Sequence, residues 1–171
     1  ATPGIDVNKE NGYGRTPLYE AATEGHVECL KLLLATPGID VNKEDGYGRT
    51  PLYEAATKDY VECLKLLLAA SGIDGNKENK DGRSPLSVAA EQGHSECVKL
   101  LLATPGIDIN KEDGYGRTPL YEGAKYGHSE CVKLLLAASG IDINRENKWG
   151  CTPLYEAAKG HVECLKLLLA A

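Results

Sequence analysis

The chain has 171 residues, 42% of them hydrophobic and 26% charged, with a formal charge of −6. Those proportions exclude a disordered or collagen-like polymer, and no apolar run reaches the roughly 20 residues of a membrane-spanning helix. The acidic balance argues against a general nucleic-acid binder, because phosphate contact needs a basic face.

In chain order, Gly4-Ile5-Asp6 comes first and returns at Gly38, Gly72, Gly106 and Gly140, always 34 residues apart. A polar stretch follows, with Asn11-Gly12, Asp45-Gly46, Asp81-Gly82 and Asp113-Gly114. Asn-Gly and Asp-Gly favour the positive φ of tight turns, so this stretch is expected to project as a finger. Thr16-Pro17-Leu18 then predicts a helix over Pro17–Thr23, with Thr as N-cap and Pro at the first helical position. Gly25 stops it in a left-handed conformation. A second helix is expected from about residue 26 to residue 35. Its Cys29, Leu30, Leu32, Leu33 and Leu34 leave little more than Glu28 and Lys31 polar, so neighbouring units must cover it. Ala1 to Glu10 repeats Ala35 to Glu44 letter for letter. The copying accounts for a narrow vocabulary with nine Tyr but no Phe and no Met.

A helix–turn–helix with a β-turn at this period resembles the ankyrin repeat. The matching residues are Thr16-Pro17-Leu18, Ala21-Ala22, Gly25-His26, Leu32-Leu33-Leu34 and Gly4-Ile5-Asp6-Val7-Asn8. The resemblance covers essentially the whole chain in five units and implies an all-α solenoid of helix–turn–helix repeats with β-turn or hairpin fingers. It makes residues 1–171 one domain, with helix pairs starting near 16, 50, 84, 118 and 152. The last helix ends without a polar cap, which leads us to expect a fragment of a longer array, or end-to-end self-association. The chain departs from the family pattern in four ways. Tyr19, Tyr53, Ser87, Tyr121 and Tyr155 stand where the family has His; the unit is one residue longer; Asp59-Tyr60 replaces Gly-His; and one residue is missing between Ala158 and Gly160.

Six Cys are too sparse for a secreted disulfide scaffold. With no visible signal peptide, reduced thiols and a cytoplasmic or nuclear setting are expected. His26 and Cys29 lie three apart and recur as His94/Cys97, His128/Cys131 and His161/Cys164, a spacing that could hold zinc. A small hydrophobic role for the Cys is the stronger reading, and no metal or cofactor is expected. Cys151 stands outside the pattern, in place of the recurring finger Arg. Gly12-Tyr13-Gly14 lacks the third Gly of a phosphate loop and reads as a turn. Glu20, Glu54, Glu122 and Glu156 form a ladder, not a catalytic centre, so no enzyme is expected.

Recognition of a protein partner remains. By position, the resemblance puts the partner on the concave face of finger tips and first helices. Tyr13, Tyr47, Asp81, Tyr115 and Trp149 stand at the tips, and Arg15, Arg49, Arg83 and Arg117 two residues later. Thr23/Glu24, Thr57/Lys58, Glu91/Gln92 and Lys125/Tyr126 come late in the first helices. Tyr and Arg dominate interface energies. The competing reading is that the Tyr pack on neighbouring fingers and each Arg pairs with a nearby Glu. Departures from the common unit cluster in residues 58–92 and 147–160, including Lys58, Lys80, Asp81, Lys148 and Trp149. A partner-specific patch would lie there. The other expected roles are a spacer or self-assembling array, and a regulatory or anchoring segment of a larger protein.

Overall fold

The computed structural model describes residues 4–171; Ala1, Thr2 and Pro3, which begin the first copied segment, lie outside them. Among the described residues there are ten helices and no strands. They run in pairs, one pair per unit: α1 (Pro17–Thr23) with α2 (Val27–Leu34), α3 (Pro51–Thr57) with α4 (Val61–Leu68), α5 (Pro85–Gln92) with α6 (Ser95–Leu102), α7 (Pro119–Tyr126) with α8 (Ser129–Leu136), and α9 (Pro153–Ala157) with α10 (Val162–Leu169). Odd-numbered helices stack on one another in an inner layer and even-numbered helices in an outer layer. The chain is an all-helical solenoid.

The inner helices share one start signal. Thr16, Thr50, Ser84, Thr118 and Thr152 hold extended backbone, and each hydroxyl accepts the N–H three residues on. That satisfies one orphan donor of the first turn, and the following Pro has no N–H to orphan. At the stop, Gly25, Gly93 and Gly127 take φ of +70°, +79° and +77°. Asp59 adopts φ +58° in their place, the one non-glycine residue among those described to do so. The next residue turns back: His26, Tyr60, His94 and His128 donate their N–H to the carbonyl five residues earlier. In unit 5 the missing residue falls in this turn. His161 still reaches Ala157, now four residues back, at the expense of the last turn of α9.

Leu30, Leu64, Val98 and Val132 are buried between the layers, and Cys63, Cys97, Cys131 and Cys164 between successive units. Burial pushes the Cys97 thiol up to about 12 and the Cys131 thiol up to about 11, so both are inert small hydrophobes. Cys29 of unit 1 is exposed, because no described unit covers that side of α2.

The fingers differ from the sequence expectation in one detail. Positive φ falls on Gly14, Gly48, Gly82, Gly116 and Gly150, not on the glycine that follows Asn11, Asp45 or Asp113. The reason is turn length. Gly48 donates its N–H to Asp45 O at 3.0 Å, closing a four-residue turn whose last position is left-handed. A Cβ on Gly48 would also stand 2.9 Å from Lys80 N, so the next finger enforces the glycine a second time. Asp45 Oδ1 accepts the N–H of Tyr47 (2.9 Å) and Arg49 (3.0 Å), fixing the tip from its base.

Three ladders tie unit to unit. One backbone bond joins each pair of fingers, as from Lys80 N to Tyr47 O at 3.0 Å. Asn8, Asn42, Asn76 and Asn110 each donate Nδ2 to the Gly carbonyl of the next Gly-Ile-Asp and accept from its Asp N–H. Lys43–Glu10, Lys77–Glu44 and Lys111–Glu78 pair at 2.8 Å, and Arg145 pairs with Glu112.

Candidate interaction surface

Finger tips and inner helices line one face, and the structure divides the Tyr there into two sets. Tyr13, Tyr47, Tyr115 and Trp149 stand at the tips with 76, 69, 49 and 67% of their surface exposed. Tyr19, Tyr53 and Tyr121 lie buried on the inner helices and reach the base of the next finger. Tyr19 Oη donates to Asp45 Oδ2 at 2.9 Å. Tyr121 Oη donates to Glu156 Oε1 at 2.8 Å and accepts from Asn147 Nδ2 at 2.9 Å. Burial, then the nearby carboxylates, push both phenols well above the ordinary Tyr range, so they stay neutral donors.

The Arg row lies beneath the tips. Arg49 bonds Asp45 Oδ2 at 2.6 Å and forms an ion pair with Glu54 Oε1 at 2.9 Å, with its guanidinium 5.1 Å from the Tyr47 ring centre. Arg117 repeats this with Asp113 (2.6 Å), Glu122 (3.0 Å) and the Tyr115 ring (4.9 Å). Burial would raise the Asp45 carboxyl, but the bonds from Arg49 hold it below the ordinary range. Glu122 is fully buried, and desolvation raises it despite Arg117. Arg15 lies between the rings of Tyr13 and Tyr19, 3.7 Å from Glu20. These Arg therefore act as struts: they neutralise buried acids and back the tip rings.

The remaining sequence-predicted residues fall in different places. Lys58 donates to Thr23 O across the unit boundary at 2.9 Å. Lys80 and Lys148 reach back to Gly46 O and Gly114 O, each at 2.6 Å. Tyr126 is exposed at the end of α7 with Lys125 over its ring at 4.8 Å. Trp149 stacks on Tyr115 at 5.7 Å and 21°. Asp81 is exposed at the third tip, and Arg83 pairs with Glu91.

An alternation over two units escaped the sequence reading. Asp45-Gly46 and Asp113-Gly114 alternate with Asn79-Lys80 and Asn147-Lys148, and Thr36-Pro37 and Thr104-Pro105 with Ala70-Ser71 and Ala138-Ser139. The Lys hooks therefore join unit 2 to 3 and unit 4 to 5. Comparing every second unit would have exposed it.

A cavity of about 350 Å³ opens on the tip face between units 2 and 3, lined by Tyr47, Tyr53, Asp81, Arg83, Val88 and Glu91 among others. Two larger grooves, of about 610 and 550 Å³, lie instead between outer helices and the Gly-Ile-Asp loops, around Ile107 and Leu134 and around Ile39 and Leu66. They repeat at matching positions of units 3–4 and 1–2, so they follow from stacking. No described helix is long and apolar enough to cross a membrane.

Among known proteins, a family model described as ankyrin repeats (three copies) matches residues 2–79, 71–147 and 115–171. Comparison with curated proteins finds no match.

Proposed function

The chain belongs to the ankyrin-repeat family, and from that membership we propose that it is a non-enzymatic protein-binding scaffold whose partner lies across the finger tips and inner helices. The observation that carries this is the division of the aromatics. Tyr19, Tyr53 and Tyr121 are buried and bonded, while Tyr13, Tyr47, Tyr115, Tyr126 and Trp149 stay exposed along one face. Tyr and Trp are the side chains that most often anchor protein interfaces, and a series of them along a repeat surface is suited to that role. Arg15, Arg49, Arg83 and Arg117 contribute by fixing the tips, and Lys58, Lys80, Asp81 and Lys148 by setting charge between them.

A photo-reactive amino acid placed at position 47 or 115 of the protein in cells tests this. Covalent adducts from those positions, and none from position 65 on the outer helices, are the expected result. Adducts from position 65 alone would overturn it.

A second reading, self-assembly through the ends, rests on the exposure of Leu32 (74%) and Leu169 (69%) on the faces of units 1 and 5. Asn144 occupies the position from which Asn110 bonds the next unit, so the face of unit 5 complements that of unit 1. Light scattering should then show mass growing with concentration. A constant monomer mass up to high concentration would remove this reading.

A further inference from the structure

We infer that the cavity between units 2 and 3 takes the cationic side chain, Arg or Lys, of a basic protein partner. The inference rests on the tip-face reading above and adds what that partner must present.

Three of the positions at which unit 3 departs from its neighbours line the cavity. Asp81 replaces the tip Tyr, Asn79 the base Asp, and Val88 the inner-helix Glu. A short tip and a short inner residue leave open the space that Tyr and Glu would narrow. The wall toward unit 2 is the exposed Tyr47 ring together with Arg49, whose guanidinium lies 5.1 Å from the ring centre. Thr57 and Val88 supply apolar surface below it.

The charges lining this space are equal in number but not equally partnered. Two carboxylates, of Asp81 and Glu91, and two guanidiniums, of Arg49 and Arg83, line it, and the Asp45 and Glu54 carboxylates that pair with Arg49 are buried outside the lining. Arg49 is held by Asp45 and Glu54, and Arg83 by Glu91. Asp81 has no ion pair among the described residues and stands exposed at the mouth. The nearby Lys80 is turned back onto Gly46 O. A long cationic side chain matches each part of this setting. Its stem covers Val88 and Thr57, its head meets the Asp81 carboxylate, and its charge lies against the Tyr47 ring. An anionic side chain would be repelled by the unpaired Asp81, and an apolar one would leave Asp81 unused. The chain's net charge of −6 also draws a basic partner toward the surface.

The test titrates the isotope-labelled chain with Gly/Ser decapeptides that differ only in a central Arg, Gln or Glu, read by amide chemical shifts. The Arg peptide should saturably shift Tyr47, Asp81, Arg83 and Glu91, binding about tenfold more tightly than the Glu peptide. Asp81→Asn, a surface change that breaks no bond, should bring the Arg and Gln peptides within about twofold of each other. Tyr47→Leu should weaken the Arg peptide alone. Equal or tighter binding of the Glu peptide, or indifference to Asp81→Asn, would overturn the inference. Shifts on the tip face that ignore Asp81 would overturn it but leave the tip-face reading standing. Shifts confined to the grooves around Leu66 or Leu134 would count against both.

Discussion

Unit 2 and unit 3 carry the same Arg in the same finger and hold it in different ways. In unit 2, Arg49 is clamped by Asp45 at the finger base and Glu54 on the inner helix, both nearly buried. In unit 3 those positions are Asn79 and Val88, and Arg83 turns to Glu91, one turn further along the helix. The clamp in unit 2 fills the space under its tip, whereas its loss in unit 3 opens a cavity. A repeat can thus keep a structural residue and still change the surface above it, because the partner acid can be supplied from another turn of the same helix.

The largest expected effect breaks this contrast at its stronger side. Arg49→Ala leaves two buried carboxylates without their cation and should destabilise the chain by about 3 kcal/mol. Arg83→Ala, which strands the single, more accessible Glu91, should cost about 1–2 kcal/mol. Urea unfolding midpoints measure both, and equal losses would mean that the two clamps are equivalent. Next in size is the conversion of unit 3 toward unit 2. Asn79→Asp with Val88→Glu should show a favourable coupling of about 1 kcal/mol in a double-mutant cycle, since the two acids meet the same guanidinium. A strictly additive result would show that Arg83 does not move back.

The turns offer a third contrast. Tyr60 occupies in unit 2 the place that His94, His128 and His161 hold in units 3 to 5. His94 donates Nδ1–H to Ala56 O at 3.0 Å, and His128 donates Nε2–H to Glu91 O at 2.8 Å. Desolvation, then its two histidine neighbours, holds the His128 pKa below its ordinary 6.5. The unfolded chain therefore binds the proton more readily than the folded one. Stability is complete above that value and falls as pH drops through it toward the lower folded pKa. His128→Tyr, which copies unit 2, should flatten this part of the curve in thermal melts at pH 7.5 and 5.5. An unchanged slope would mean that His128 is not the group responsible.

The smallest effect on stability is expected at the tips. Tyr47→Ala and Tyr115→Ala remove exposed rings and should each cost less than about 0.5 kcal/mol, while lowering partner capture. A loss comparable to that of Arg49→Ala would make the tips packing elements instead.

Much of the helical frame could be read from the residues. The Thr-Pro start, the Gly stop and the Leu run are signals satisfied within a few residues, and the first helix falls where they place it. Asp59 stands where the other turns have Gly and takes the same left-handed conformation, which Asp tolerates better than most residues. The residue missing between Ala158 and Gly160 is visible in the sequence, and α9 ends early there. The finger turn was harder to read. Asn-Gly and Asp-Gly favour a two-residue turn when taken as a pair, whereas the four-residue closure depends on Asp45 bonding forward to Tyr47 and Arg49. The candidate surface was legible as a set of residue types only. The Arg row and the tip Tyr stood out together, and their separation into buried struts and exposed rings came with Asp45, Glu54, Asp113 and Glu122.

The sequence by itself determined the repeated unit, its helix limits and its apolar outer helix, because capping and periodicity act over one or two turns. Only the tertiary structure decided which chemically identical side chains are covered. Tyr19, Tyr53 and Tyr121 are buried and Tyr155 is exposed; Cys63, Cys97, Cys131 and Cys164 are buried and Cys29 is exposed. The physical reason is that each unit is closed by its neighbours, the Tyr by the unit that follows and the Cys by the unit that precedes, so burial depends on residues one repeat away rather than on the residue's own surroundings in the chain.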